Sequence, residues 1–387
     1  LKVLYTAAHA GAEAIVPIGG GGAIARMLEQ QWRRSLPFEL EIVRPQETAS
    51  EIVKYTQGEY TKFCHRFRKF ATNRILAEDP AQTIVLANDI GEGPDFELLE
   101  RHGYRVFTIW HVDVLAFVMK MYLGEWVSPE RAARAMAPFE PWLPGPLRLV
   151  FTNQHRCVRC STGHIVMTDA MKQRILKCYP ETNPAKIHVV PWGTPEAAGV
   201  GSRQPSPKPV VLTLSRISPE KGQHRLLEAA RGLDVKIRIA GEAAFMGGDA
   251  YLRRLRKLSQ GMDIEFPGHL SGQAKLDAFA SADIYAFPSV SESYGLTLME
   301  ALSHGLPAVA WNHEGAEAIL QPEFGTLVSS TSQLRAAIEQ LLNDPARRQG
   351  MGAAAKAYAQ ARPFRDAAAK VAGLLLQRPG FVEEIRP

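Results

Sequence analysis

Two textures alternate along the 387-residue chain. Short runs of aliphatic and β-branched residues read as buried strands. In the first half these are Leu1–Thr6, Thr83–Ala87, Arg105–Trp110 and His164–Thr168. In the second they are Val210–Leu214, Lys236–Ala240, Asp263–Phe266, Ile284–Phe287 and Ala308–Ala310. Each gives way to a loop and then to a longer stretch with helical spacing. Near-continuous apolar strands separated by helices predict an α/β fold with parallel sheets covered by helices. Ligands of such sheets bind beyond the carboxyl ends of the strands, so the loops that follow strands are where chemistry is to be sought.

The length exceeds one ordinary core and fits two domains, and 46% apolar residues allow each to bury its own. Pro191-Trp192-Gly193-Thr194-Pro195, followed by a Gly-, Ser- and Pro-rich run over Gly199–Pro209, is the clearest linker signal and places a boundary near residue 195. A last helix is expected over Ala361–Gln377. No apolar run approaches the roughly 20 residues that span a bilayer. The first residues read as a strand rather than a signal peptide, which predicts a cytoplasmic chain.

A net charge of +5 favours anionic ligands such as nucleotide diphosphates or an acidic membrane surface. No nucleic-acid signature with its aromatic spacing is present. Four cysteines do not make a disulfide framework. Cys157-x-x-Cys160 with His164 has metal-like spacing, and Cys64-His65 could complete a site. A structural zinc site needs two well-formed ligand pairs, so reduced thiols are the simpler reading.

The richest chemistry lies in Ser291-Glu292-Ser293-Tyr294-Gly295-Leu296-Thr297-Leu298-Met299-Glu300. Ser293 is placed to cap a helix running toward His304. The unpaired N–H groups of such a helix start suit a pyrophosphate. Glu292 precedes the helix and Glu300 lies about 9 Å along it. The two carboxylates could accept hydroxyls on either side of the phosphates, as the layout sugar, pyrophosphate, ribose requires. The alternative is a pair of solvated surface glutamates.

Ser215-Arg216-Ile217-Ser218-Pro219-Glu220-Lys221-Gly222 directly follows the strand Val210–Leu214. A guanidinium and an ammonium leaving a strand end through one turn can meet on a diphosphate. Gly19-Gly20-Gly21-Gly22 precedes a helix expected to start near Ala23 and would let backbone approach a phosphate or sugar. Its spacing is not that of Gly-x-Gly-x-x-Gly. His111 ends the strand Arg105–Trp110, with Asp113 two residues on. Gly241-Glu242 fits a tight turn near a nucleotide, and Phe266-Pro267-Gly268-His269-Leu270 would offer apolar surface and backbone groups to a base.

In this order the segments resemble the GT-B retaining glycosyltransferases of the glycogen-synthase-like family 4, most closely from about Val210 to Gly325. Glu292 and Glu300, as Glu-x7-Glu about a Gly-Leu core, are the most specific match. The resemblance implies two Rossmann-like, doubly wound parallel-sheet domains facing a central cleft. Residues 1–195 would form the acceptor domain and 196–360 the donor domain, with 361–387 crossing back to the first. It implies transfer of a hexosyl group from a nucleotide-diphosphate sugar with retention, by a front-face mechanism in which the leaving phosphate takes the acceptor's proton. Arg216 and Lys221 would hold the diphosphate in place of a metal, so neither metal nor cofactor is expected. Glu292 would bind donor-sugar hydroxyls, Glu300 the ribose, and Leu296 a phosphate through its N–H. His111 would contact the donor sugar. Gly20, Gly21, Gly241, Leu270, Tyr294 and Gly295 complete the expected donor contacts. His111-Val112-Asp113 and Asn312-His313-Glu314-Gly315-Ala316-Glu317 depart from the family pattern.

The acceptor is left open between a lipid-linked molecule and a small glycoside. Lys54–Arg74 reads as a basic amphipathic helix with Phe63, Phe67 and Phe70 on one face, suited either to peripheral contact with the inner membrane surface or to packing against the sheet. Val114–Leu123 with Trp126 is a second apolar stretch, expected to cover the acceptor site. Two other activities remain as alternatives. One is a nucleotide-sugar epimerase or hydrolase of the same fold. The other is a dinucleotide-dependent dehydrogenase, against which the missing acidic ribose ligand counts.

Overall fold

The structure, a computed structural model, describes residues 1–10, 19–35, 38–116, 128–143, 145–196, 199–243 and 248–377. The stretch Val114–Leu123 with Trp126 lies mostly outside them. The chain forms two compact units: Leu1–Ala49 with Glu59–Pro191 and Arg365–Pro387, and Ser50–Gly58 with Trp192–Phe364.

The first unit is built on a six-stranded parallel sheet of β1 (Lys2–Thr6), β2 (Glu39–Val43), β3 (Thr83–Ala87), β4 (Arg105–Ile109), β5 (Gly163–Val166) and β6 (Ile187–Val189), ordered β2-β1-β3-β4-β5-β6. The chain steps from β1 outward to β2 and then back across β1 to β3, which puts a topological switch point at the carboxyl ends of β1 and β3. The helix Phe364–Leu376 belongs to this unit over most of its length. Ala368 accepts a hydrogen bond from Trp32 Nε1 at 3.0 Å, and Leu375 accepts one from Arg105 at 3.1 Å. The expected return of the last helix is therefore present.

The second unit carries β7 (Val210–Leu214), β8 (Lys236–Ala240), β9 (Ile264–Gly268), β10 (Ile284–Phe287), β11 (Ala308–Trp311) and β12 (Gly325–Val328), ordered β12-β11-β10-β7-β8-β9 and also parallel. Its switch point lies between β7 and β10. Val211, Ile237, Ile239, Ile284, Ala286 and Val309 form the sheet's share of a core closed by Leu226, Leu227, Leu255, Leu334 and Ile338 from the covering helices. Burying each such aliphatic side chain stabilises by roughly 1.5–3 kcal/mol, which secures strands whose loops are polar.

Several local expectations are corrected. The four glycines do not form a loop: Gly19 to Gly22 are the first turn of the helix Gly19–Ser35. Ser293 does not cap the motif helix, which spans Leu296–Ser303 with Gly295 as N-cap at φ +130°. The Gly199–Pro209 run is strapped down rather than loose. Ser202 N donates to Asp277 at 2.8 Å, Arg203 pairs with Asp283 at 2.8 Å, and a Cβ on Gly201 would stand 2.1 Å from Leu276 O. In the basic helix, Gln57–Leu76, Phe63 and Phe67 are buried while Phe70 is 45% exposed. Two of the three aromatic rings thus serve the unit's own core. No described helix is long and apolar enough to cross a membrane.

Candidate donor site of the second unit

The switch point of the second sheet collects the charged residues singled out in the sequence. After β7 the chain turns through Ser215–Gly222, with a short 3-10 turn at Pro219–Lys221. After β10 it runs through Pro288–Gly295. The two loops lie against each other. Val290 N donates to Glu220 O at 2.9 Å, and a Cβ on Gly222 (φ +65°) would stand 2.1 Å from Pro288 O. This close approach is why a glycine ends the first loop.

The contact brings Lys221 Nζ to 2.5 Å from Glu292 Oε1, with Lys221 only 9% exposed. Burial acts to raise the Glu292 carboxyl. The Lys221 charge and hydrogen bond, aided by His313, overcome it and hold the carboxyl below its ordinary range. Glu292 is therefore an ionised acceptor. Arg216 lies on the same loop, 3.7 Å from Glu220 Oε1, which also accepts from Ser218 Oγ at 2.5 Å. Gln223 Nε2 donates to Arg216 O at 2.7 Å and to Ser215 Oγ at 2.9 Å, fixing the loop from within.

The remaining expected donor residues have different parts. The helix Leu296–Ser303 presents its first N–H groups, including that of Leu296, where no intrahelical acceptor exists. Glu300, inside that helix, binds Lys275 Nζ at 2.5 Å, a partner on the helix Gly272–Ala280 that sequence reading missed. Leu270 lies between β9 and that helix. Gly241 (φ +148°) serves the chain itself, since a Cβ there would fall 1.8 Å from Ser215 O. Tyr294 is 5% exposed, and its hydroxyl accepts from Gly193 N at 2.9 Å. Its side chain is committed to the frame. Tyr294→Phe is accordingly expected to lower stability by about 1–3 kcal/mol, by stranding a buried N–H, while leaving donor KM unchanged. Denaturant melts and donor saturation curves check both halves.

Gly315 was noted only as part of an unusual turn. A Cβ on it would meet Tyr294 O at 2.4 Å and Glu292 O at 2.6 Å. The turn Asn312–Glu317 thus backs the Glu292 segment, and Gly315 is the residue that lets it approach.

His111 belongs to the first unit. Its Nε2 meets Asn88 Oδ1 at 2.9 Å, and burial pushes its pKa down to about 4. Asp89 works in the opposite direction, and His9 adds to the lowering. Gly21 packs on its ring, an added Cβ standing 3.2 Å from His111 Cδ2, whereas Gly20 would meet nothing within 4 Å. Asp113 is buried and occupied structurally, accepting from Ala116 N at 3.0 Å, Gln154 Nε2 at 2.9 Å and Arg174 Nε at 2.8 Å. All four cysteines are free and buried, and burial pushes the Cys157 thiol up to about 12. His164 is tied to Thr108 Oγ1 at 2.9 Å. Among the described residues the only grouping with convergent metal-ligand atoms is His9, Asp89 and Glu92, not the Cys157–Cys160 pair.

Two units of this topology define the GT-B fold. A sucrose-phosphate synthase from Thermosynechococcus elongatus shares it at TM-score 0.74 and 18% identity, over 96% of this chain and 98% of that one. Anabaena HepE, solved in complex with UDP-glucose, shares it at TM-score 0.65 and 16% identity over 97% and 99%. Residues 200–358 match the family model described as glycosyl transferases group 1. The GDP-mannose-dependent monoacylated alpha-(1-6)-phosphatidylinositol monomannoside mannosyltransferase of Corynebacterium glutamicum is 32% identical over 164 residues, 40% of this chain and 43% of the relative. The match therefore spans less than half of that curated relative's length.

Proposed function

We propose that the chain is a retaining glycosyltransferase that takes a hexosyl group from a nucleotide-diphosphate sugar and passes it to an acceptor hydroxyl without a metal. The observation that carries this reading is the Lys221–Glu292 pair at the β7/β10 switch point, on loops that also hold Arg216 and lead into the helix Leu296–Ser303.

In this reading Arg216, Lys221 and the helix N–H groups bind the diphosphate and stabilise the charge that grows on it as the sugar leaves. Those cations take the part a metal plays elsewhere. Glu292, kept ionised by Lys221, accepts sugar hydroxyls and is not assigned as a covalent nucleophile. Glu300 accepts the ribose hydroxyls, with Lys275 fixing its carboxylate. His111 is the residue of the first unit to which a part in the transfer is assigned. The acceptor hydroxyl attacks the face from which the nucleotide departs, and a leaving phosphate oxygen takes its proton. The C. glutamicum relative's lipid substrate makes a lipid-linked acceptor the first to try, with small glycosides second.

A thermal-shift screen of uridine, adenosine and guanosine diphosphate sugars tests the donor, followed by mass spectrometry of products with candidate acceptors. Protection by one class, abolished in Glu300→Ala or Arg216→Ala, is the expected result. Donor consumption at full rate without any acceptor would favour an epimerase or hydrolase instead, and protection by nicotinamide dinucleotides would favour a dehydrogenase.

A further inference from the structure

At the switch point of the first sheet, Asn88 directly follows β3 and sits at the centre of a buried hydrogen-bond cluster. It is 0% exposed. Its Oδ1 accepts from Tyr5 OH at 2.5 Å and lies 2.9 Å from His111 Nε2. Its Nδ2 donates to Gly21 O at 3.2 Å and to Asp89 Oδ1 at 3.3 Å. A carbonyl oxygen and a carboxylate only accept, so the amide can face them only with its nitrogen. Its oxygen is thereby aimed at His111, and the proton between them must belong to the imidazole Nε2.

We infer that Asn88 is a positioning residue that holds His111 as the neutral Nε2–H tautomer, with its ring against Gly21 and Nδ1 as the acceptor nitrogen. Two geometric facts support this independently. The amide is pinned by three partners other than His111, from β1, the Gly19–Ser35 helix and the β3 loop. Gly21 also packs on the ring edge next to Nε2, where an added Cβ would stand 3.2 Å from Cδ2 and 3.6 Å from Asn88 Nδ2. Among the described residues, the titratable groups near the ring include Asp89 from the β3 end, His9 from the β1 end and Tyr5 within β1. Asp89 is itself engaged, by His9 Nδ1 at 2.9 Å and Ala8 N at 3.0 Å, and does not replace Asn88 as the partner of His111. Burial keeps the imidazole uncharged in the ordinary working range.

The role in catalysis rests on the proposed transfer reaction, but the tautomer does not, and the experiment separates them. Histidine-15N-labelled full-length protein, with His111 identified by its loss in His111→Gln, is expected to show an Nε2–H imidazole that does not titrate between pH 5 and 8. An Nδ1–H signal, or titration in that range, would overturn the inference whether or not the protein transfers sugar. In Asn88→Asp a second carboxylate meets Asp89 and the proton this demands goes to His111. Its pKa then rises, kcat at neutral pH falls on the order of 10²-fold, and activity recovers as pH rises through the new value, with donor KM little changed. An unchanged kcat and pH profile in a folded Asn88→Asp would also overturn it. If that variant does not fold, Tyr5→Phe, which frees one bond to Oδ1, is expected to leave the tautomer intact, and the wild-type spectrum alone decides.

Discussion

Lys221→Ala is expected to lower kcat by about 10²–10³-fold, the scale of losing one preorganised donor to a developing oxyanion. The same change has a second consequence, visible in its pH dependence. In the native protein Glu292 is held below its ordinary value because Lys221 outweighs burial. A carboxyl whose folded pKa is depressed contributes stability above its unfolded pKa and loses it as pH falls through the folded one. Wild-type stability from this pair should therefore persist through neutral pH and fade only in acid. Without Lys221 the burial penalty loses its chief opponent, so the Glu292 carboxyl moves up and the acid limb of both stability and rate moves up with it. Thermal melts and rate profiles from pH 4 to 8 check the shift. Lys221→Arg keeps the charge but replaces a compact ammonium in a 9%-exposed position with a larger planar group, and is expected to restore the acid limb more fully than kcat.

Gly241→Ala should have the largest effect on the fold. At φ +148° a side chain is strained, at about 1–3 kcal/mol, and its Cβ would occupy the position of Ser215 O, 1.8 Å away. The backbone there is pinned on both sides, with Gly241 N donating to Gly268 O at 2.8 Å and Ser215 N to Ala240 O at 3.0 Å. Relief requires the β7 and β8 ends to part, which carries the Arg216 loop away from Glu292. A markedly lower Tm, with donor protection lost in whatever folds, is the expected outcome.

The second unit was legible because its two middle strands, Val210–Leu214 and Ile284–Phe287, are almost wholly apolar. The strands that escaped notice, Glu39–Val43, Ile187–Val189 and Gly325–Val328, are all edge strands. An edge strand pairs on one side only and stays partly exposed, as in Glu39–Val43, where only Val43 is buried. Its alternation is weak, and for Ile187–Val189 the element is three residues long. The charged residues of the donor loops were readable because they directly follow strong strands. The partners that set their behaviour were not. Lys275 reaches Glu300 across 25 positions, and Tyr5 reaches Asn88 across 83. No local pattern announces such a pair. Tyr294 and Gly241 were taken as ligand contacts because they lie inside the right motifs, yet both are needed by the chain's own packing. His111 was found as a lone histidine after a strand, while the amide that orients it carried no signal.

The central claim is that the β7/β10 switch point is a nucleoside-diphosphate site. Isothermal titration of UDP and GDP into the wild type, Arg216→Ala and Lys221→Ala tests it most directly. Binding of one diphosphate by the wild type, weakened at least about tenfold in each variant, is predicted, since each removes a charge-assisted contact. Undiminished diphosphate binding in both folded variants, or none by the wild type, would contradict the account.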